Sequence, residues 1–451
     1  MELPDPSYVK TADGAYIAYA VVGDGPVDIA WQFDFFGNID MEWDEPFGNA
    51  WYPGLASFAR VILHDRRATG LSSRNVPVPN LETRVADLRA VLDAAGSERT
   101  VIGSWYEGLA PGILLAATEP DRVRGLVWWN PSPRTVWGPD YPWGSGPEEV
   151  ARELAALEHW GTRGYAEFWA EQFATENGVR PSDAEVRWIA KESRNCCTPD
   201  VAIELNEVWW QTDVRGVLSS VQVPTLLLVD GNSTTNREIA DHVASLMPRA
   251  DIRVLPWEGW PSERAALERN CAPWHEAIRE FVGVKSPRRA LDTVLSTVLF
   301  TDIVGSTETQ AKLGDRGWKD LVERHHAVVR SGLDRWRGVE NDTAGDGFYA
   351  TFDGPARAIH CAVEVAENVR ELGIEIRAGV HTGECELIDG KAGGIAVTTG
   401  ARISALAGSS EILISQTVKD LVAGSGLSFE DAGEHDLKGV PDRWRLYRVV
   451  S

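Results

Sequence analysis

Two short stretches of the chain each set an aspartate beside glycine near an apolar run. The first is Phe300-Thr301-Asp302-Ile303-Val304-Gly305-Ser306-Thr307, and the second is Thr343-Ala344-Gly345-Asp346-Gly347-Phe348-Tyr349-Ala350-Thr351-Phe352. A strand, a tight turn and an adjacent hairpin would bring Asp302 and Asp346 together. Two carboxylates held that close repel unless a cation sits between them. Mg²⁺ prefers such oxygen ligands and completes its shell from phosphate and water. Beyond Asp302, the small residues Gly305, Ser306 and Thr307 lead into a helix, whose first backbone N–H groups offer a seat for a triphosphate. The chemistry these residues suggest is metal-assisted reaction of a nucleoside triphosphate. Taken singly, Asp302 also reads as a helix cap and Gly345-Asp346-Gly347 as an ordinary hairpin turn.

Together the two stretches resemble the class III nucleotidyl cyclases, the adenylate and guanylate cyclases. The resemblance continues in order through Arg377-Ala378-Gly379-Val380-His381-Thr382-Gly383-Glu384, Gly394-Ile395-Ala396-Val397, Gly400-Ala401-Arg402-Ile403 and Gly433-Glu434-His435-Asp436-Leu437-Lys438-Gly439-Val440. It implies that Asp302 and Asp346, with the Ile303 carbonyl, bind two Mg²⁺ or Mn²⁺ ions per site. It implies that Arg402 stabilises transition-state charge and that Lys438 contacts the triphosphate; a surface ion pair and a surface lysine are the plainer readings of these two. The family's usual asparagine, four residues before the arginine, is Thr398 here. The base-reading lysine of adenylate cyclases aligns with Asp342, and its aspartate partner with Lys391. This exchanged pair suits adenine or guanine, or simply pairs with itself, so both ATP and GTP stand as substrates. The resemblance further implies a head-to-tail homodimer, because metal ligands and arginine come from opposite subunits.

The elements that must position these residues follow from the rest of the chain. Its 451 residues favour two domains, and 43% hydrophobic with 25% charged residues reads as globular. The net charge of −23 argues against nucleic-acid or anionic-membrane partners. No apolar run is long enough to span a membrane, and the start Met1-Glu2-Leu3-Pro4-Asp5-Pro6 lacks signal-peptide character. The five cysteines show no metal or disulfide spacing. A cytoplasmic protein is expected.

Residues 1–283 are expected to form one domain, residues 284–293 a linker and residues 294–451 the cyclase domain, a smaller α+β (ferredoxin-like) unit. In the first domain, Val27-Asp28-Ile29-Ala30-Trp31, Ala59-Arg60-Val61-Ile62-Leu63, Thr100-Val101-Ile102-Gly103, Gly125-Leu126-Val127-Trp128-Trp129 and Thr225-Leu226-Leu227-Leu228-Val229 read as buried strands alternating with helices. That is an α/β domain, with a helical cap at about residues 132–220.

This domain resembles the α/β-hydrolase fold through His64-Asp65-Arg66-Arg67-Ala68-Thr69-Gly70-Leu71-Ser72, Val91-Leu92-Asp93-Ala94-Ala95-Gly96 and Ala116-Ala117-Thr118-Glu119-Pro120-Asp121-Arg122-Val123. The whole chain thus resembles the hydrolase–cyclase fusion proteins of actinobacteria. The family's nucleophile turn aligns with Ser104-Trp105-Tyr106-Glu107-Gly108, where Tyr106 stands in place of serine. The acid position falls in Asp230-Gly231-Asn232-Ser233, where Asp230 lies close to the strand end and Asn232 nearer the usual place; the base segment, Trp257-Glu258-Gly259-Trp260-Pro261, has no histidine, and His242 and His275, the available substitutes, lie in helix-like stretches. A hydrolase needs nucleophile, base and acid as a unit, so the expectation is a non-catalytic domain. Of the 19 tryptophans, 16 precede Gly283, most of them core. Trp105 and Trp260, with Tyr106, are equally read as the lining of a pocket for a small apolar or aromatic ligand. The leading reading is a nucleotidyl cyclase with a regulatory hydrolase-like domain; the alternatives are a non-catalytic ligand receptor with a degenerate cyclase domain, or an active esterase.

Overall fold

Short apolar runs rich in Val, Ile, Leu and Trp build two sheets, seen in a computed structural model that describes residues 5–33, 37–177, 180–258, 264–283, 293–388 and 391–450. The chain divides into two compact units, Met1–Arg289 and Ala290–Ser451. Nine residues of the expected linker, 284–292, lie outside the described residues.

The first unit carries strands β1 (Ser7–Lys10), β2 (Tyr16–Val22), β3 (Asp28–Gln32), β4 (Arg60–His64), β5 (Thr100–Trp105), β6 (Val123–Trp129), β7 (Thr225–Asp230) and β8 (Ala250–Leu255). Their order is β1-β2-β4-β3-β5-β6-β7-β8. The first two strands run antiparallel, and β4, β3, β5, β6, β7 and β8 pair in parallel. The helices are α1 (Ile39–Asp44), α2 (Pro46–Ala56), α3 (Leu81–Ala94), α4 (Ala110–Thr118), α5 (Pro147–Leu157), α6 (Arg163–Asn177), α7 (Asp183–Cys196), α8 (Pro199–Gln211), α9 (Thr234–Leu246) and α10 (Arg264–Gly283).

Parallel strands need both faces covered. Alternate residues Ile29, Trp31, Val61, Leu63, Val127 and Trp129 pack on one side with Trp51 and Leu55 of α2 and Trp274 and Ile278 of α10. On the other side α3 packs on α4, and a Cβ at Gly112 of α4 would come within 2.7 Å of Ile102 Cγ2. Helices α5 to α8 have their own apolar cluster, including Leu157, Trp160, Tyr165 and Leu205. They form a strandless helical group in the stretch where a cap is expected.

The second unit carries β9 (Thr293–Ile303), α11 (Ser306–Trp336), β10 (Val339–Ala344), β11 (Gly347–Phe352), α12 (Pro355–Asn368), β12 (Ile376–Ile388), β13 (Lys391–Gly393), α13 (Ile395–Leu406), β14 (Ile412–Ser415), α14 (Gln416–Leu421), β15 (Ser428–Asp436) and β16 (Arg443–Val450). Its sheet runs β10-β11-β9-β12-β14-β16-β15, with β13 paired to β12. Leu299 and Ile303 face α11 and α12, whereas Val298 and Phe300 face α13. A Cβ at Gly379 would lie 2.2 Å from the Ser404 nitrogen, so glycine there lets α13 settle onto β12. Among the described residues no helix is long and apolar enough to cross a membrane.

Candidate active site

The site is built where β9 ends and the β10–β11 hairpin turns. The hairpin lies beside β9, with Phe348 opposite Thr301. Gly345 takes φ +64°, which makes the tight turn and presents Asp346 toward the end of β9. Asp346 Oδ2 accepts the Ile303 N–H at 3.2 Å. The Asp302 and Asp346 carboxyls share a hydrogen bond. Burial first, and then the Asp302 charge, raises Asp346 above the usual carboxylate range. Both aspartates are half-buried.

Sequence reasoning assigned no role to Arg377, and the structure adds it to the site. The antiparallel register of β9 and β12 sets Arg377 opposite Asp302. Its Nη2 lies 2.6 Å and its Nε 3.2 Å from Asp302 Oδ2. The signal available beforehand was only that an arginine opens the stretch leading to Gly383. Without a register, nothing in one dimension pairs residues 75 apart.

Gly305 caps α11 with φ +66° and no side-chain cap bond, and Ser306 and Thr307 open the first turn. The N–H groups of that turn therefore look for an external acceptor. This is the setting in which a helix N-terminus accepts phosphate. Among the described residues, no group of three or more His, Cys, Asp or Glu side chains is arranged to hold a metal ion. Asp302 and Asp346 alone would not close an octahedral shell. They fit a Mg²⁺ that brings water and phosphate oxygens with it.

Thr398 and Arg402 stand one turn apart on α13. Thr398 Oγ1 bonds back to the Gly394 carbonyl at 3.3 Å, and Arg402 Nε donates to the Lys438 carbonyl at 3.0 Å. The structure thus joins Arg402 to the exposed Lys438 turn. Among the described residues, no hydrogen bond or ion pair links these three to Asp302 or Asp346 within one chain. Asp342 is exposed on β10, opposite Tyr349. Lys391 opens β13 opposite Ile388, and its side chain lies outside the described residues.

In the first unit, β5 runs into a sharp turn at Tyr106, whose φ of +42° is unusual for a bulky residue. The strained elbow backbone persists with tyrosine in it, and the Tyr106 side chain is 41% exposed. Ser104 is fully buried and donates to the Gln32 carbonyl at 2.8 Å, so it faces away from any substrate. Asn232 donates to the Trp257 carbonyl, and its own N–H is held by Asp230 at 2.8 Å. His275 is buried against the Trp51 carbonyl at 3.0 Å, and His242 lies 5.2 Å from the Trp143 ring. Trp105 stands at 5.1 Å from Trp31 and 6.1 Å from each of Phe47, Trp51 and Trp129. Its ring belongs to a packed aromatic cluster rather than to the wall of an open pocket. Trp260 lies outside the described residues.

Residues 289–451 match the family model of the adenylate and guanylate cyclase catalytic domain. A stretch of 240 residues is 25% identical to the receptor-type adenylate cyclase GRESAG 4.1 of Trypanosoma brucei brucei, covering 40% of this chain and 18% of that protein. For the other unit, 226 residues are 25% identical to the putative carbamate hydrolase RutD of Caulobacter sp. (strain K31), covering 47% of this chain and 79% of that one. The bromoperoxidase from Bacillus anthracis superposes with a TM-score of 0.51 at 16% identity, over 62% of this chain and 100% of its own. That likeness shows the fold alone. The C-terminal unit therefore matches the adenylate and guanylate cyclase catalytic domain along its whole length. The chain as a whole joins this cyclase-like region to an N-terminal region with the α/β-hydrolase fold.

Proposed function

We propose that this protein converts ATP or GTP into a 3′,5′-cyclic nucleotide and pyrophosphate. The observation that carries the reading is the Asp302–Asp346 pair beside the uncapped start of α11. Asp302, Asp346 and the Ile303 carbonyl would hold two Mg²⁺ or Mn²⁺ ions, which supply activation of the ribose 3′ hydroxyl and neutralisation of the triphosphate. The remaining work is positioning and charge stabilisation for an in-line displacement at the α-phosphorus. The N–H groups at Ser306 and Thr307 receive phosphate oxygens. Arg377 neutralises Asp302 in the resting chain, and once released its guanidinium suits the same phosphates. Arg402 and Lys438, already joined, would meet the substrate from the partner subunit of a homodimer. Thr398 would donate one hydrogen bond, and Asp342 with Lys391 would read the base.

The N-terminal unit is read as a regulatory or ligand-sensing module in place of a hydrolase. Tyr106 at the elbow, and His275 held by the Trp51 carbonyl, support this. A small apolar or aromatic ligand beside Tyr106 would have to part the cluster around Trp105.

The decisive experiment offers purified protein ATP and GTP separately, with Mg²⁺ or Mn²⁺, and resolves the products by chromatography. A 3′,5′-cyclic nucleotide with equimolar pyrophosphate is expected. No cyclic product from either nucleotide, with either metal, would reject the reading and leave a non-catalytic receptor.

A further inference from the structure

The turn that carries Asp346 begins at an exposed residue, Gly345, yet a metal ligand must be held to within about 0.5 Å of its working position. One side of the turn is fixed inside the site, where Asp346 Oδ2 accepts the Ile303 N–H at 3.2 Å. The other side is fixed from α11. His326 Nε2 lies 3.0 Å from the Gly345 carbonyl oxygen. A carbonyl only accepts, so the imidazole carries a proton on Nε2 and donates it.

The surroundings orient this bond. His326 and Arg330 stand one turn apart on α11, whose inner face buries Leu321, His325, Val329 and Leu333. The His326 ring meets Phe348 of β11 edge to face at 4.9 Å, which limits how the imidazole can turn. Arg330 grips Glu340 at the foot of the hairpin through bonds of 2.8 and 2.9 Å, and Thr343 Oγ1 donates to the same carboxylate at 2.6 Å. One face of α11 thus holds the hairpin at its stem and at its tip. Gly345 has nothing within 4 Å of where a Cβ would stand, so no neighbour packs on that side of the turn. The Gly345 oxygen and the Asp346 nitrogen belong to one planar peptide. Holding that oxygen fixes the plane from which the Asp346 side chain springs.

We propose that His326 is a positioning residue for the metal-binding turn: its Nε2–H holds the Gly345 carbonyl, so that Asp346 meets the ion already oriented. The proposal rests on the reading of Asp346 as a metal ligand. Because His326 acts through the backbone, it governs how tightly metal binds and leaves the chemical step unchanged.

The test uses the full chain with Mn²⁺ as the probe. The accompanying nucleotide is 3′-deoxy-ATP, with 3′-deoxy-GTP in parallel, neither of which can cyclise. Electron paramagnetic resonance of free Mn²⁺ then gives the dissociation constant without turnover. His326→Leu keeps an apolar contact for Phe348 and removes the donor. It should weaken Mn²⁺ binding roughly threefold to tenfold, the worth of one hydrogen bond. His326→Gln returns an amide N–H to the place of Nε2 and should keep most of the parental affinity. In assays with cyclisable nucleotide, the Mn²⁺ concentration for half-maximal rate should shift by the same factor in His326→Leu, while kcat at saturating Mn²⁺ stays parental. A folded His326→Leu with parental Mn²⁺ affinity would overturn the proposal, as would equal weakening in the leucine and glutamine variants. Should His326→Leu lack a cooperative unfolding transition, His326→Asn, whose amide falls short of Gly345, takes its place with the same expected loss and the same overturning result. Failure of the underlying reading has a different signature: Asp346→Ala would then bind Mn²⁺ as the parent does, and the proposal would fall with it.

Discussion

Asp302 has two partners, a carboxylate that repels it and a guanidinium that neutralises it. Asp346 hydrogen-bonds with it, and Arg377 approaches within 2.6 Å. Removing either aspartate relieves repulsion in the resting fold. Asp302→Ala and Asp346→Ala should therefore abolish cyclic-nucleotide formation while changing stability by no more than about 1 kcal/mol. Product assays at saturating Mn²⁺, run beside denaturation curves, check both halves; near-parental turnover in either variant would discard the two-metal assignment. Asp342 is exposed on β10, free of any ion pair among the described residues. If it reads the base with Lys391, Asp342→Lys combined with Lys391→Asp should raise the ATP-to-GTP ratio of kcat/KM by roughly tenfold to a hundredfold, the worth of one good polar pair. An unchanged ratio in a folded double variant would remove both residues from base recognition. The two aspartates could be picked out in sequence because each sits in a short stretch of marked composition. Arg377 could not, because its role exists only through the β9–β12 register.

At the scale of elements, the first unit carries a carboxyl cluster that no sequence pattern announced. Glu42 lies on α1, Glu45 caps α2, and Glu192 lies on the cap helix α7. The Glu42 and Glu192 carboxyls hydrogen-bond to each other, and Tyr52 Oη donates to Glu42 Oε2 at 3.3 Å. Burial, then the Glu45 charge, raises Glu42 to about 8, and burial raises Glu45 to about 7. A folded state that keeps protons its unfolded chain has lost becomes less stable as pH rises. Buried His64 and His275, both held near 4, act in the opposite sense, but their contribution is complete by their ordinary value of 6.5. The melting temperature of this unit should therefore fall between about pH 6.5 and 8 as Glu42, Glu45 and Asp65, the last also raised by burial to about 7, lose their protons. Glu42→Gln should flatten that slope, which thermal scans across the window will read; an identical slope in the variant would show that Glu42 does not titrate there. The elbow teaches the complementary lesson. Ser104 and Gly108 pointed to a sharp turn in sequence, and the backbone makes it, with Tyr106 at φ +42°. That the neighbouring Trp105 would pack solidly could not be read from tryptophan content, because an aromatic side chain suits a core and a pocket equally.

For the whole molecule, two expectations follow from the fusion. Mixing inactive Asp302→Ala with inactive Arg402→Ala should restore part of the activity, because a mixed homodimer holds one site with both intact halves. Complete failure, with mixed dimers demonstrated, would place Arg402 outside the shared site. The N-terminal unit should not hydrolyse short p-nitrophenyl esters above a Tyr106→Ala control, since nucleophile and base are missing as a unit; turnover above that control would make it an esterase.

What the sequence determined by itself was local and periodic. Buried runs in the first unit became β3 to β7 within a residue or two at their ends, with helices between several of them. Burying a strand on both faces, or a helix on one stripe, leaves a pattern that neighbours in the chain carry. The order of motifs from Phe300 to Val440 likewise sufficed to indicate a cyclase domain. What only the tertiary structure decided was which distant side chains share a space: Arg377 with Asp302, and Glu42 with Glu192. Those pairings depend on strand register and on how the helices pack against one another. None of these is a property of any short segment, since each is settled by the competition of many contacts for the same buried volume.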